Sequence, residues 1–240
     1  MDLKRHIGVA LRTVSSKIGI SQGAGKVFAI GFNKTGTTSL HDIFTQLGYL
    51  SYHGTAWRKT SRPAIYYVYD SFCDGIPDDV RRLDRMFPNS KFILQVRDLD
   101  GWLDSRLEHI KRLPKGKVRD ADWTAQSSSV IEWVKKRNSY HLDVLTYFKD
   151  RPDDLLLINF IRDPLAADKI AAFLGHSGTV EKPHANRNPK AGSTLKNKDM
   201  IYAALAELSI PESEFKYDIH CPSMVTADAQ NAPADTSFVT

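Results

Sequence analysis

Residues 31–39 read Gly31-Phe32-Asn33-Lys34-Thr35-Gly36-Thr37-Thr38-Ser39, directly after the apolar run Val27-Phe28-Ala29-Ile30 and ahead of a helical pattern. A strand that feeds a glycine-containing turn and then a helix N-terminus presents backbone N–H groups to an anion. The stretch therefore reads as a phosphate-binding loop. Gly31 and Gly36 keep the five-residue spacing of the nucleoside-triphosphate version, but Thr37 stands where that version places its lysine. The lysine here, Lys34, lies inside the loop. Such a loop can cradle phosphate, yet it lacks the first-turn lysine that reaches a β/γ-phosphate pair.

Working outward, Leu40, Ile43, Phe44 and Leu47 fall at helical spacing and Gly48 is a C-terminal stop. Tyr49–His53 and Ile65–Tyr69 read as extended stretches. Pro77 opens a helix carrying Val80, Leu83, Met86 and Phe87, closed by Pro88-Asn89. Lys91–Val96 is a second buried strand, after which Asp98 or Asp100 can cap a helix bearing Leu99, Trp102, Leu103, Leu107 and Ile110. A charged loop over 114–122 precedes a long helix from about Trp123 to Phe148, and Leu155–Phe160 reads as a third central strand. Asp163-Pro164 starts a further helix ending at Leu174-Gly175, and a last helix covers about Asn197–Leu208. Strands alternating with helices imply an α/β fold, a mainly parallel central sheet flanked by helices in three layers. Ligands then sit beyond the carboxyl ends of the strands, where both the 31–39 loop and Arg97 lie.

The chain has 240 residues, enough for one well-buried α/β domain. That domain is expected over 26–221, between a basic amphipathic segment (1–25) and a disordered Ala/Asp/Thr/Pro-rich tail (222–240). In the first segment Leu3, Ile7, Leu11, Val14 and Ile18 share a helical face, which suits a docked helix or, in the alternative, peripheral membrane contact through residues 1–20. The two cysteines, Cys73 and Cys221, have no metal-like spacing and indicate neither zinc nor a disulfide framework, so a reduced cytoplasmic setting is expected. The net charge of +5 is spread through the middle of the chain, with +4 over residues 1–26 balanced by −4 over 211–240. Diffuse positive charge suits an anionic small molecule and does not argue for nucleic acid.

Arg97 ends the strand Lys91–Val96, and Ser105 follows eight residues later on the next helix. A guanidinium fork and a hydroxyl so placed can grip one phosphate. The bland reading is an ion pair of Arg97 with Asp98 or Asp100 and a plain surface serine. Taken together with the lysine-in-loop motif, the pair resembles the two phosphate-binding signatures of the P-loop sulfotransferases: Lys34-Thr35-Gly36-Thr37-Thr38-Ser39, then Arg97 and Ser105. Phe92-Ile93-Leu94-Gln95-Val96-Arg97-Asp98 and Trp102-Leu103-Asp104-Ser105 are especially similar to a bacterial-type branch. The resemblance extends over roughly residues 26 to 190.

What the resemblance implies is a three-layer P-loop fold and a 3′-phosphoadenosine 5′-phosphosulfate donor, leaving adenosine 3′,5′-bisphosphate as product. Lys34 would approach the bridging oxygen between phosphorus and sulfur, the amides of Thr35 to Ser39 would hold the 5′-phosphate, and Arg97 and Ser105 would hold the 3′-phosphate. No metal is expected, because no β/γ-phosphate pair has to be neutralised. The proton acceptor is expected within Asp70-Ser71-Phe72-Cys73-Asp74-Gly75-Ile76-Pro77, with Asp74 first, Asp70 second and His53 as a histidine alternative. His109 reads as packing. The late Arg-Lys-Gly segment of cytosolic members is missing, and His184-Ala185-Asn186-Arg187 with Lys190 could serve in its place. Trp57, Tyr66, Tyr67 and Trp123 could line a pocket for a small-molecule, lipid or carbohydrate acceptor. Two rival readings are a P-loop small-molecule kinase, which would need a lysine after Gly36, and a catalytically silent nucleotide-binding protein.

Overall fold

A computed structural model describes residues 25–61, 63–113, 125–178, 180–183 and 194–225. Five short strands make one parallel sheet in the order β2-β3-β1-β4-β5: β1 Val27–Ala29, β2 Ser51–His53, β3 Ser71–Cys73, β4 Lys91–Gln95 and β5 Leu155–Ile158. The register sets Phe28 beside Phe72 on one side and Phe92 on the other, and His53 beside Cys73. The central position of β1 follows from its burial on both faces, since Val27, Phe28, Ala29 and Ile30 are all buried.

Alternation along β1 sends successive side chains into two different cores. Val27 and Ala29 join Cys73, Ile93, helix α1 (Thr37–Gln46) and helix α5 (Ala166–Phe173) on one face. Phe28 faces the other way into an aromatic cluster, with ring centroids 5.3 Å from Phe72, 5.4 Å from Phe92 and 6.1 Å from Trp57. Phe87, just past helix α2 (Val80–Met86), and Phe148, the last residue of helix α4 (Ser127–Phe148), pack on this second face. The expected three-layer α/β arrangement is what the sheet and its helices form.

The described residues divide into two compact units, 25–97 with 143–183 and 98–142 with 194–225. The sheet and the 31–39 loop belong to the first. The second is helical: α3 (Leu99–Lys111), the first part of α4 and α6 (Lys198–Glu207). Its α6 is tied to α3 by Asp104, whose Oδ1 accepts from the backbone N–H of Asn197 at 2.9 Å and from Asn197 Nδ2 at 2.7 Å. The guanidinium of Arg106 lies 4.4 Å from the Trp133 ring centroid in the same unit.

Several sequence expectations shift. Ile65–Tyr69 is not extended: Pro63–Tyr67 is a 3-10 turn that buries Tyr66, and the strand is the following Ser71–Cys73. That strand has only three residues and is bracketed by Asp70 and Asp74, so its apolar signal is short. Helix α2 begins at Val80 rather than Pro77, because Asp79 is the cap and accepts from the Arg82 N–H at 2.8 Å. Asp98 occupies the cap position of α3 but makes no side-chain cap bond. β5 is an edge strand, not a central one, with Leu157 37 % exposed. Residues 222–225 are helical, so the chain beyond Cys221 does not begin as a tail. The N-terminal segment up to residue 24, the 114–122 loop, Trp123, residues 184–190 and the chain from 226 onward lie outside the described residues.

Candidate active site at the carboxyl edge of the sheet

Because every described strand pairing is parallel, the chain leaves β1, β2, β3 and β4 on the same edge of the sheet. The 31–39 loop follows β1 at the centre. Arg97 follows β4 on one flank, while Asp74 and His53 follow β3 and β2 on the other.

The loop is held from below and from the side. Gly31 donates its N–H to Gln95 Oε1 at 2.9 Å, and a β-carbon added at Gly31 would lie 2.0 Å from the Gln95 carbonyl oxygen. Only glycine allows that approach. Thr35 is buried and closes the loop on itself by donating its hydroxyl to the Phe32 carbonyl at 2.5 Å. Gly36, at φ 99°, turns the chain into α1, and the Phe160 ring fills the space where its side chain would stand. Glycine at the cap supplies no capping side chain, so the first-turn N–H groups of α1 have no partner from that residue. Thr37 and Ser39 are buried, and Thr38 and Lys34 are half-buried.

Lys34 adopts φ 70°, a left-handed conformation uncommon for a residue with a β-carbon. Its carbonyl accepts from Arg97 Nη1 at 3.1 Å. The loop lysine and the strand-end arginine, 63 positions apart, are thus directly linked. Ser105 belongs to the second unit, half-buried near the end of the second turn of α3.

Of the proton-acceptor candidates, Asp74 sits at the carboxyl end of β3, half-buried, with φ 96° and followed by Gly75 at φ 106°. Strained backbone of this kind persists where the surrounding structure over-determines it, often at functional sites. His53 ends β2, exposed, with Nε2 3.4 Å from the Thr37 hydroxyl. Asp70 is a correction. It precedes β3 at the amino edge, accepts the Leu50 N–H on Oδ2 at 2.9 Å and takes the Val27 N–H on its carbonyl at 2.9 Å. It ties strands together at the end of the sheet away from the loop.

The aromatic candidates also resolve. Trp57 and Tyr66 are wholly buried in the Phe28 cluster, with Trp57 Nε1 donating to the Cys73 carbonyl at 2.9 Å and the Tyr66 hydroxyl bonded to the Trp57 carbonyl. Both are core residues. Tyr67 is 43 % exposed and meets Phe87 edge-on. Residues the motif reading did not single out are Gln95, Phe160 and Arg58. A glutamine inside the apolar run Phe92-Ile93-Leu94-Gln95-Val96 was a legible signal, since a buried amide needs a partner; for Phe160 and Arg58 no local pattern exists.

The family described as "Sulfotransferase domain" matches residues 56–156, which include β3, β4, Asp74, Arg97 and Ser105. The match spans a little under half of the chain. A crystal structure of mouse sulfotransferase SULT7A1 complexed with PAP is similar at 14 % identity and a TM-score of 0.44, covering 80 % of this chain and 69 % of that one. No curated protein matches the chain. Among the described residues no helix is long and apolar enough to cross a membrane, and no group of three or more His, Cys, Asp or Glu side chains could hold a metal ion.

Proposed function

We propose that this protein is a sulfotransferase that moves a sulfonate group from 3′-phosphoadenosine 5′-phosphosulfate to a hydroxyl or amine of a small-molecule, lipid or carbohydrate acceptor. The observation that carries the reading is the bond from Arg97 to the Lys34 carbonyl. It joins the two elements that such a donor needs, a lysine-bearing anion loop and a guanidinium fork one strand over. Neighbouring strands stand about 4.8 Å apart, so one nucleotide can reach both.

In this reading the donor's 5′-phosphosulfate lies on the loop amides and its 3′-phosphate against Arg97. An acceptor oxygen attacks sulfur as the bond from sulfur to the bridging oxygen breaks, and the electron pair stays on the departing phosphate. Lys34 stabilises the charge that builds on that oxygen. Asp74, on the β3 flank, takes the proton from the acceptor hydroxyl and later releases it to water. The leaving group is a single phosphate, so Lys34 and the loop dipoles can carry its charge without a metal. Positioning and electrostatics supply most of the rate, as in phosphoryl transfer.

Calorimetry with adenosine 3′,5′-bisphosphate, ATP and GTP, each with and without Mg²⁺, tests this. The expected result is stoichiometric binding of the bisphosphate, indifferent to Mg²⁺. Tight Mg²⁺-dependent ATP binding with no bisphosphate binding would favour a kinase and sink the proposal.

A further inference from the structure

Resting on the sulfotransfer reading, we propose that the acceptor carries an anionic group, a carboxylate, sulfate or phosphate, and that Arg58 receives it. Arg58 closes the 3-10 turn Ala56–Arg58. Trp57 pins that turn to the end of β3 through its bond to the Cys73 carbonyl. From the other direction Asp78 donates its N–H to the Arg58 carbonyl at 2.9 Å, and Asp78 Oδ1 accepts from the Thr60 N–H at 2.9 Å. The backbone on both sides of Arg58 is therefore fixed, and with it the origin of its side chain.

That side chain crosses directly over Gly75. A β-carbon added there would lie 2.9 Å from Arg58 Nη1 and 3.1 Å from its Cδ, so the residue next to Asp74 has to be glycine for the guanidinium to lie where it does. Arg58 as a residue is half-buried, and its guanidinium makes one hydrogen bond among the described residues, a long, exposed one of 3.4 Å from Nε to the Thr55 carbonyl. Its terminal nitrogens have no hydrogen-bond partner there, and no described carboxylate comes within ion-pair distance, although Asp74 and Asp78 are close in sequence. A fork of N–H donors on a tied backbone, with no counter-ion among the described residues, matches the geometry of a carboxylate or phosphate taken bidentately. It stands at the β3 end of the edge, on the flank away from Arg97. An acceptor held there presents its anion to Arg58 and its hydroxyl to Asp74.

The test uses the full chain saturated with adenosine 3′,5′-bisphosphate, so that the loop and Arg97 are already occupied. Benzoate and methyl phosphate are titrated against the neutral benzamide, in wild type, Arg58→Met and Arg58→Lys. Wild type is expected to bind the anions at least tenfold more tightly than benzamide. Arg58→Met should lose that preference, and Arg58→Lys should keep part of it, while bisphosphate affinity stays within twofold throughout. Equal binding of anion and amide by wild type, or an unchanged preference in Arg58→Met, overturns the assignment and leaves the donor reading standing. If the bisphosphate itself fails to bind wild type, both fall together. Should Arg58→Met not fold, the Arg58→Lys titration decides alone, because losing the fork while keeping the charge must weaken anion binding by at least threefold.

Discussion

Lys34 carries its side chain on a backbone that L-residues seldom adopt, and the strain, of order 1–3 kcal/mol, is sustained by the Arg97 bond and the Phe32–Thr35 closure. A lysine so fixed can meet charge that develops only during reaction. Lys34→Ala is expected to lower kcat by about 10²–10³, the range for removing one preorganised donor from a developing oxyanion, with bisphosphate affinity changed far less. Steady-state kinetics beside calorimetry separate the two, and a large loss of bisphosphate affinity with kcat intact would put the lysine on the wrong atom. Arg97→Ala should do the reverse. A hydrogen bond to a charged group is worth about 1.5–3 kcal/mol, so bisphosphate binding should weaken about ten- to a hundredfold. Unchanged affinity would remove Arg97 from the nucleotide site.

At the scale of elements, β1 does two things at once: it centres the sheet and launches the loop. Phe28 is its anchor, fully buried and within 6.2 Å of five aromatic rings. Phe28→Ala should cost about 3–5 kcal/mol, read as a lowered urea midpoint with little change in slope. A cost below 1 kcal/mol would mean that the cluster collapses around the gap. The elements that the sequence reveals clearly are those with a long periodic or continuous apolar signal, such as β1, α1, β4 and α4. Those it hides have their signal cut short. β3 is three residues between two aspartates, and the Pro63–Tyr67 turn presents aromatics that imitate a strand. The same applies to the site. Lys34, Gly36 and Arg97 are legible because motif and strand end coincide. Asp70 and Asp74 flank one strand and cannot be told apart until the parallel pairing sends one to each edge. The position of Arg58 over Gly75 depends on a turn folding back across β3, which no local pattern encodes.

At the scale of the whole molecule, acid should weaken the helical unit first. Burial pushes His141 down from its ordinary 6.5 to about 3, with the neighbouring Arg137 guanidinium adding to the shift. The folded state keeps this ring neutral while the unfolded chain protonates it below 6.5. Its contribution to stability is therefore present above pH 6.5 and is lost progressively as pH falls toward 3, by at most about 1.4 kcal/mol per pH unit. Denaturation midpoints between pH 7 and 4 should fall less steeply in His141→Asn than in wild type; parallel curves would show that the ring is not held neutral. The bond from Arg97 to the Lys34 carbonyl has a consequence of its own. In the proposed donor site it would couple the two ends of the nucleotide: whatever steadies or disturbs the guanidinium also steadies or disturbs the main chain that carries the Lys34 ammonium. A donor stripped of its ribose phosphate should accordingly react more slowly even at saturation, its remote group having helped to aim the reactive one.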